Sequence, residues 1–245
     1  MVARPFVILN VAASVDGKID TFQRRGTAIS SERDRERVDA LRASVDAVMV
    51  GGHTVVDEDP RLTVKSAELR ADRQARGLPA NPAKVALTSL HQRPNPNGRF
   101  VTAGPARIIL FTPCVAASAP ATLREHDAAA WESMLAALRA RGVEVFAIGE
   151  GRVDLCAAMT TLYDQGMRRL LVEGGGSLNF EVLRLGLVDE VHVFVAPLVF
   201  GGASAPTLAD GAGLARAAAI RLRQTEVDVD DDGGVVLRYK VEPRE

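Results

Sequence analysis

Residues 169–186, RLLVEGGGSLNFEVLRLG, decide the fold. Arg169 to Val172 is a short apolar run of strand character, three glycines interrupt it, and residues 177–185 resume with apolar side chains at helical spacing. A buried strand that turns directly into a helix is the repeating unit of an α/β sheet. The same rhythm extends outward in both directions. Upstream, residues 6–12, 45–50, 84–88, 107–111 and 143–148 read as strands. Ser30 or Ser31 caps a helix that puts Val38 and Leu41 on one face and leaves Glu32, Arg33, Arg35 and Glu36 in water. Further helices are expected around residues 131–140 and over 154–165, the second ended by Gly166. Residues 57–83, with Pro60, Pro79 and Pro82, read as a long functional loop holding at most a short helix. Downstream, residues 191–196 form a strand, and 220–229 with 235–241 form a hairpin around a turn at 230–234. The expectation is one α/β domain over residues 1–245: a doubly wound, mostly parallel mixed sheet closed by a C-terminal antiparallel hairpin.

Composition narrows the function. The chain has 245 residues, 47% apolar and 25% charged, enough for a sizeable core under a charged surface. A formal net charge of −1, with neither sign gathered at one end, supplies no long-range field for nucleic acid or an anionic membrane. An aromatic content of 4% argues against stacking surfaces for single strands. No run approaches the ~18 apolar residues of a membrane span, and residues 1–6 lack the pattern of a signal peptide. Cys114 and Cys156 form no Cys-x-x-Cys pair and read as free thiols of a reducing compartment, so a cytoplasmic location is expected. With His53, His91, His126 and His192 they make no metal-ligand spacing, and no metal is expected.

Ligands of open α/β sheets bind beyond the carboxyl ends of the strands. Gly174, Gly175 and Gly176 let the backbone approach a ligand closely, and the helix behind them offers free N–H groups and a positive dipole end suited to a diphosphate. The run satisfies neither G-x-G-x-x-G nor the phosphate loop G-x-x-x-x-G-K-[ST], and the chain carries no deaminase signature or hydrolase elbow. A second strand end, Val48-Met49-Val50-Gly51-Gly52-His53-Thr54, offers Thr54 as a helix cap and phosphate contact. The two ends together can flank one extended cofactor. Glu173, at the mouth of an apolar strand, can order a substrate or move a proton, or can simply accept backbone N–H bonds. Of the three acids in Asp57-Glu58-Asp59-Pro60, turn formation explains one and leaves the others to contact a ribose hydroxyl or an amide. Arg42 and Lys65 read as surface cations unless the fold brings them beside that loop, where a substrate phosphate needs them.

These blocks carry a resemblance. Ala13-Ser14-Val15-Asp16-Gly17-Lys18, Leu41-Arg42-Ala43, residues 46–55, Asp59-Pro60-Arg61-Leu62-Thr63, Val172 to Gly176, residues 186–190 and residues 196–202 are similar, in order, to the reductase domain of riboflavin-biosynthesis proteins. The resemblance implies a dihydrofolate-reductase-like fold, NADPH as hydride donor and a homodimer. It also implies reduction of the ribosyl group of a ribosylaminopyrimidine 5′-phosphate to a ribityl chain, with no deaminase domain in this chain. Carried onto matching positions, Ala13, Thr54, Glu58, Ser89, Gly174 and the run from Gly175 through Ser177 and Leu178 to Glu181 contact NADPH. Ser89 sits where a 2′-phosphate can be held. Arg42, Leu62, Lys65 and Glu173 face the substrate, with Glu173 as the catalytic group. Asp16-Gly17-Lys18 opens a flexible segment, running through Arg25 and Gly26, that can close over the site.

The sequence also departs from that pattern. Ala28 stands where bifunctional members often carry tryptophan, Gly26 replaces a frequent hydroxyl residue, Glu58 replaces an aspartate, and Lys65 stands where arginine is common. Two other readings therefore stay open: a reductase of dihydrofolate or another pterin-like ring, and a dinucleotide-binding regulator without turnover.

Overall fold

Strand β1 (Phe6–Ser14) shows why the sheet is buried on both faces: Val7, Leu9 and Val11 pack into one apolar layer and Ile8 into the other. The computed structural model describes residues 3–24, 26–114 and 125–243; Arg25, one end of the segment expected to move, lies outside them. Eight more strands follow: β2 (Ala47–Gly51), β3 (Ala83–Leu87), β4 (Ile108–Cys114), β5 (Glu144–Glu150), β6 (Arg169–Val172), β7 (Glu190–Ala196), β8 (Leu222–Val229) and β9 (Val235–Val241). The described sheet runs β5-β4-β3-β2-β6-β1-β7-β9-β8. Its first seven strands are parallel, and β9 and β8 join antiparallel at one edge. The expected doubly wound sheet with a terminal hairpin is the observed one.

Six α-helices lie among the described residues: α1 (Glu32–Ser44), α2 (Ala67–Ala75), α3 (Arg99–Thr102), α4 (Glu125–Ala140), α5 (Leu155–Asp164) and α6 (Gly176–Arg184). Ser31, rather than Ser30, caps α1, accepting from the Asp34 N–H at 3.0 Å. The helix departs from the expected apolar face. It buries Asp34, Asp39 and Ala43, while Val38 and Leu41 are only half-buried. The reason is polar pairing beneath it. Arg37 bridges Asp34 at 2.7 Å and the Asn10 side chain at 2.8 Å, and Asp39 accepts the N–H groups of Lys65 and Ser66 at 2.6 and 2.8 Å.

The expected long loop contains the full helix α2, capped by Ser66. Helix α4 starts at Glu125, earlier than expected, and the short α3 was not foreseen. No helix of the described residues is long and apolar enough to cross a membrane.

Candidate active site

The register of β2 against β6 brings the two glycine-bearing strand ends together. Glu173 N donates to Met49 O at 2.9 Å and Gly51 N to Gly174 O at 2.7 Å. A groove of about 910 Å³ opens over this junction. One wall is Gly51 to Thr54; the other is Gly175 to Leu178 with Glu181 and Arg184, one face of α6.

The three glycines have separate reasons to be glycine. Gly174 takes φ +93°, which side chains resist, and its peptide to Gly175 is cis. Gly175 has ordinary extended backbone, and a Cβ there would meet only Thr54 Oγ1, at 3.6 Å. Gly176 is packed: a Cβ would lie 2.4 Å from Thr207 O. Gly175 is thus the position left open toward the groove. Helix α6 makes its first backbone bond from Asn179 N to Gly175 O at 3.0 Å, so the N–H groups of Gly176, Ser177 and Leu178 find no acceptor among the described residues. Free donors at the positive end of a nine-residue helix fit the diphosphate of a dinucleotide.

Thr54 does not cap a helix as expected. It begins a π-helical turn (Thr54–Glu58) whose preceding residue, His53, is already helical. Its hydroxyl faces Gly175 across the groove instead. Glu58 closes the turn. Desolvation raises its pKa, the Asp20 and Asp57 carboxylates push in the same direction, and the Thr54 hydroxyl opposes them. A Cβ on Gly26 would come within 3.2 Å of Glu58 Cγ, so the longer acid and the missing side chain fit each other. Two departures from the family pattern thus bear on one place.

On the other side of the β6 end, Glu173 takes a two-pronged bond from Arg42, Nε at 2.8 Å and Nη2 at 2.7 Å, and Arg42 Nη1 reaches Thr63 O at 3.3 Å. Burial lowers the Arg42 pKa, but the charge and hydrogen bond of Glu173, together with the Asp39 charge, outweigh it and the net shift is upward. The guanidinium and carboxylate therefore act as a fixed pair. Leu62 is buried nearby in sequence at φ +50°, and Lys65 is exposed.

The segment after β1 is tied down. Asp16 accepts from the Ser14 hydroxyl at 2.7 Å and from the N–H groups of Phe200 and Gly201 at 3.1 and 2.7 Å, bonds that draw its pKa down to about 2. Val15 N donates to Leu198 O at 2.8 Å and Ile19 N to Pro206 O at 3.0 Å. Asp20 gathers the N–H groups of Thr21, Gly26 and Thr27 at 2.7–3.0 Å.

Of the residues expected at the cofactor, Thr54, Glu58, Ser89, Gly175, Gly176, Ser177 and Leu178 line the groove. Gly174 and Ala13, both buried, lie outside the lining, so neither offers the expected contact there. The Ser89 N–H already donates to the Gln92 side chain at 2.8 Å. Arg42 and Glu173 meet, whereas neither they nor Leu62 and Lys65 line the groove. Sequence reasoning missed the end built by Gly149 to Cys156. A third glycine-bearing strand end, Ile148-Gly149-Glu150-Gly151, was the available signal.

Comparison with known proteins adds an independent line. The RibD C-terminal domain family model matches residues 5–236. The 2,5-diamino-6-ribosylamino-4(3H)-pyrimidinone 5′-phosphate reductase of Archaeoglobus fulgidus is 40% identical over 208 residues, covering 85% of this chain and 87% of that protein. The reductase of the same name from Methanothermobacter thermautotrophicus is 40% identical over 220 residues, covering 89% and 90%. Among solved structures, a pyrimidine reductase-like protein from Corynebacterium diphtheriae shares the fold with a TM-score of 0.78 at 22% identity, covering 98% of this chain and 93% of that one. The order of motifs, the sheet and a family match over nearly the whole length agree: the chain belongs to the RibD C-terminal domain family.

Proposed function

We propose that this chain is an NADPH-dependent oxidoreductase that reduces a ribosylaminopyrimidine 5′-phosphate, turning its ribosyl group into a ribityl chain. The observation that carries the reading is the single groove joining both glycine-bearing strand ends, with unbonded N–H groups on one wall and Thr54 and Glu58 on the other. Relatives covering most of both chains are named as reductases of such a phosphate, not of a pterin. When bound, reduced nicotinamide supplies the hydride.

The chain's own residues position the reactants. The N–H groups of Gly176, Ser177 and Leu178 hold the diphosphate, and Thr54, Glu58 and Ser89 fix the two ends of the cofactor. Across the β6 end, the Glu173–Arg42 pair presents acceptor oxygens to the substrate hydroxyls beside a fixed cation, and Lys65 adds a mobile one for the phosphate. The exposed apolar residues of the hairpin, Leu222, Val227 and Val229, suit a second copy of the chain, and light scattering at two protein concentrations tests that homodimer.

The test is loss of reduced-nicotinamide absorbance on mixing with the ribosylaminopyrimidine phosphate or with dihydrofolate. Turnover with the first alone is expected, and oxidation with neither substrate overturns the reading. Glu173→Gln, which keeps the shape and removes the charge, is expected to lower kcat/KM on the order of 100-fold, with NADPH affinity held within a factor of a few.

A further inference from the structure

The groove does not end at Ser89. It continues to the carboxyl end of β5, at Gly149 and Glu150, and to Arg152, Asp154 and Cys156 just beyond it. Three arginines line the whole groove: Arg24, Arg152 and Arg184. Two are engaged. Arg184 holds Glu181 through Nη2 at 2.7 Å and Nε at 3.2 Å, and Arg24, after β1, bonds Ser204 O at 3.1 Å. Arg152 makes no hydrogen bond or ion pair with the described residues, yet its charge is felt at Glu181, on the α6 face lining the groove.

The loop fixes where Arg152 starts. Gly149 turns at φ +89°, with so little room that a Cβ would lie 2.4 Å from Arg152 O. Asp154 N then closes back on Ile148 O at 3.2 Å, and the Asp154 carboxylate is spent on capping α5, accepting from Ala157 N at 3.0 Å. Glu150 is the remaining flanking acid.

Spacing completes the argument. With strands about 4.8 Å apart, Ser89 beyond β3 lies two spacings, about 10 Å, from the diphosphate position beyond β6, and β5 lies two more beyond β3. An arginine reaching back from β5 toward α6 covers the region beside Ser89. The Ser89 N–H there is already bonded to the Gln92 side chain, so an anion beside Ser89 must draw its further donors from another group.

We infer that Arg152 is the residue that selects a phosphorylated adenosine ribose, holding the 2′-phosphate of NADPH between its guanidinium and the Ser89 hydroxyl. The inference rests on the proposed function. Guanidinium suits the task because its fork of donors matches phosphate oxygens, and the carboxylates on the same walls would otherwise repel a further anion.

Calorimetric titration of the full chain with NADPH and with NADH tests it, with no turnover required. Arg152→Gln is expected to weaken NADPH by roughly 10- to 30-fold, the size of one charge-assisted hydrogen bond, with NADH changed less than about twofold. Arg152→Lys is expected to keep most of the NADPH affinity and to lose it more steeply with salt. Equal weakening of both dinucleotides, or an unchanged NADPH affinity in Arg152→Gln, overturns the assignment while leaving the proposed function standing. A wild-type chain that binds neither dinucleotide overturns both.

Discussion

Gly175 and Gly176 are neighbours whose substitutions should fail in different ways. At Gly175→Val the new Cβ meets only Thr54 Oγ1, at 3.6 Å, and the backbone is an allowed one, so the protein is expected to fold normally. Its branched side chain fills the approach to the diphosphate, and calorimetry should find NADPH affinity down by more than about 100-fold. A folded Gly175→Val protein with wild-type affinity would remove the diphosphate from this site. Gly176→Ala instead drives a methyl into Thr207 O, and urea unfolding should show a loss of about 1–3 kcal/mol. Lys84 provides a pH test. It is buried with Nζ donating to Phe100 O at 2.9 Å and Ala103 O at 2.6 Å, and burial pulls its pKa from 10.5 to about 8, against a weaker opposing pull from Asp59. The fold favours the neutral amine, so between about pH 8 and 10.5 the unfolded chain binds the extra proton and stability rises with pH. Urea unfolding across that window should show a steeper rise for wild type than for Lys84→Met. At this scale the sequence identified Glu173, Thr54 and the glycines by residue type and position at a strand end. It could not show that Glu58 fills the space a side chain at Gly26 would take, because that fit joins segments 32 positions apart and depends on the turn after β2.

Helix α2 illustrates what an element does for a site it never touches. Arg73, buried on α2, donates to the carbonyls of Ala43 at 2.9 Å, Val45 at 2.7 Å and Pro79 at 2.9 Å. These include carbonyls at the end of α1 that have no partner within the helix. The clamp fixes the last turn of α1, which carries Arg42 toward Glu173. Arg73→Met is expected to cost roughly 3 kcal/mol by urea unfolding, since it strands buried acceptors. A loss below about 0.5 kcal/mol would mean that water replaces the guanidinium there. The charge-rich loop pattern hid this helix, because its helical residues are mostly polar and its proline flanks read as loop. Helix α1 was legible as a helix through Ser31, but its buried face was not. Asp34 and Asp39 look like solvent residues until Arg37 and the N–H groups of Lys65 and Ser66 are placed beside them.

Across the whole molecule, ligand binding should act on stability through the groove. A dinucleotide that binds only the folded chain adds about 2.7 kcal/mol at a concentration 100 times its Kd. For a chain of 245 residues that corresponds to a rise in Tm of roughly 5–10 °C. Differential scanning should show this shift with NADPH at saturation and a smaller one with NADH at the same concentration; no shift with either would leave the groove without its proposed occupant. The sequence by itself determined the alternation of strand and helix, the terminal hairpin and the glycine-bearing ends, because apolar periodicity, turn chemistry and helix caps are local properties written within about ten residues. Only the tertiary structure decided that β2 and β6 are neighbours, that Arg42 closes on Glu173, and that the β5 end belongs to the same groove. Strand order and long-range pairing depend on how the layers pack, and nothing within a single segment specifies its neighbour in a parallel sheet.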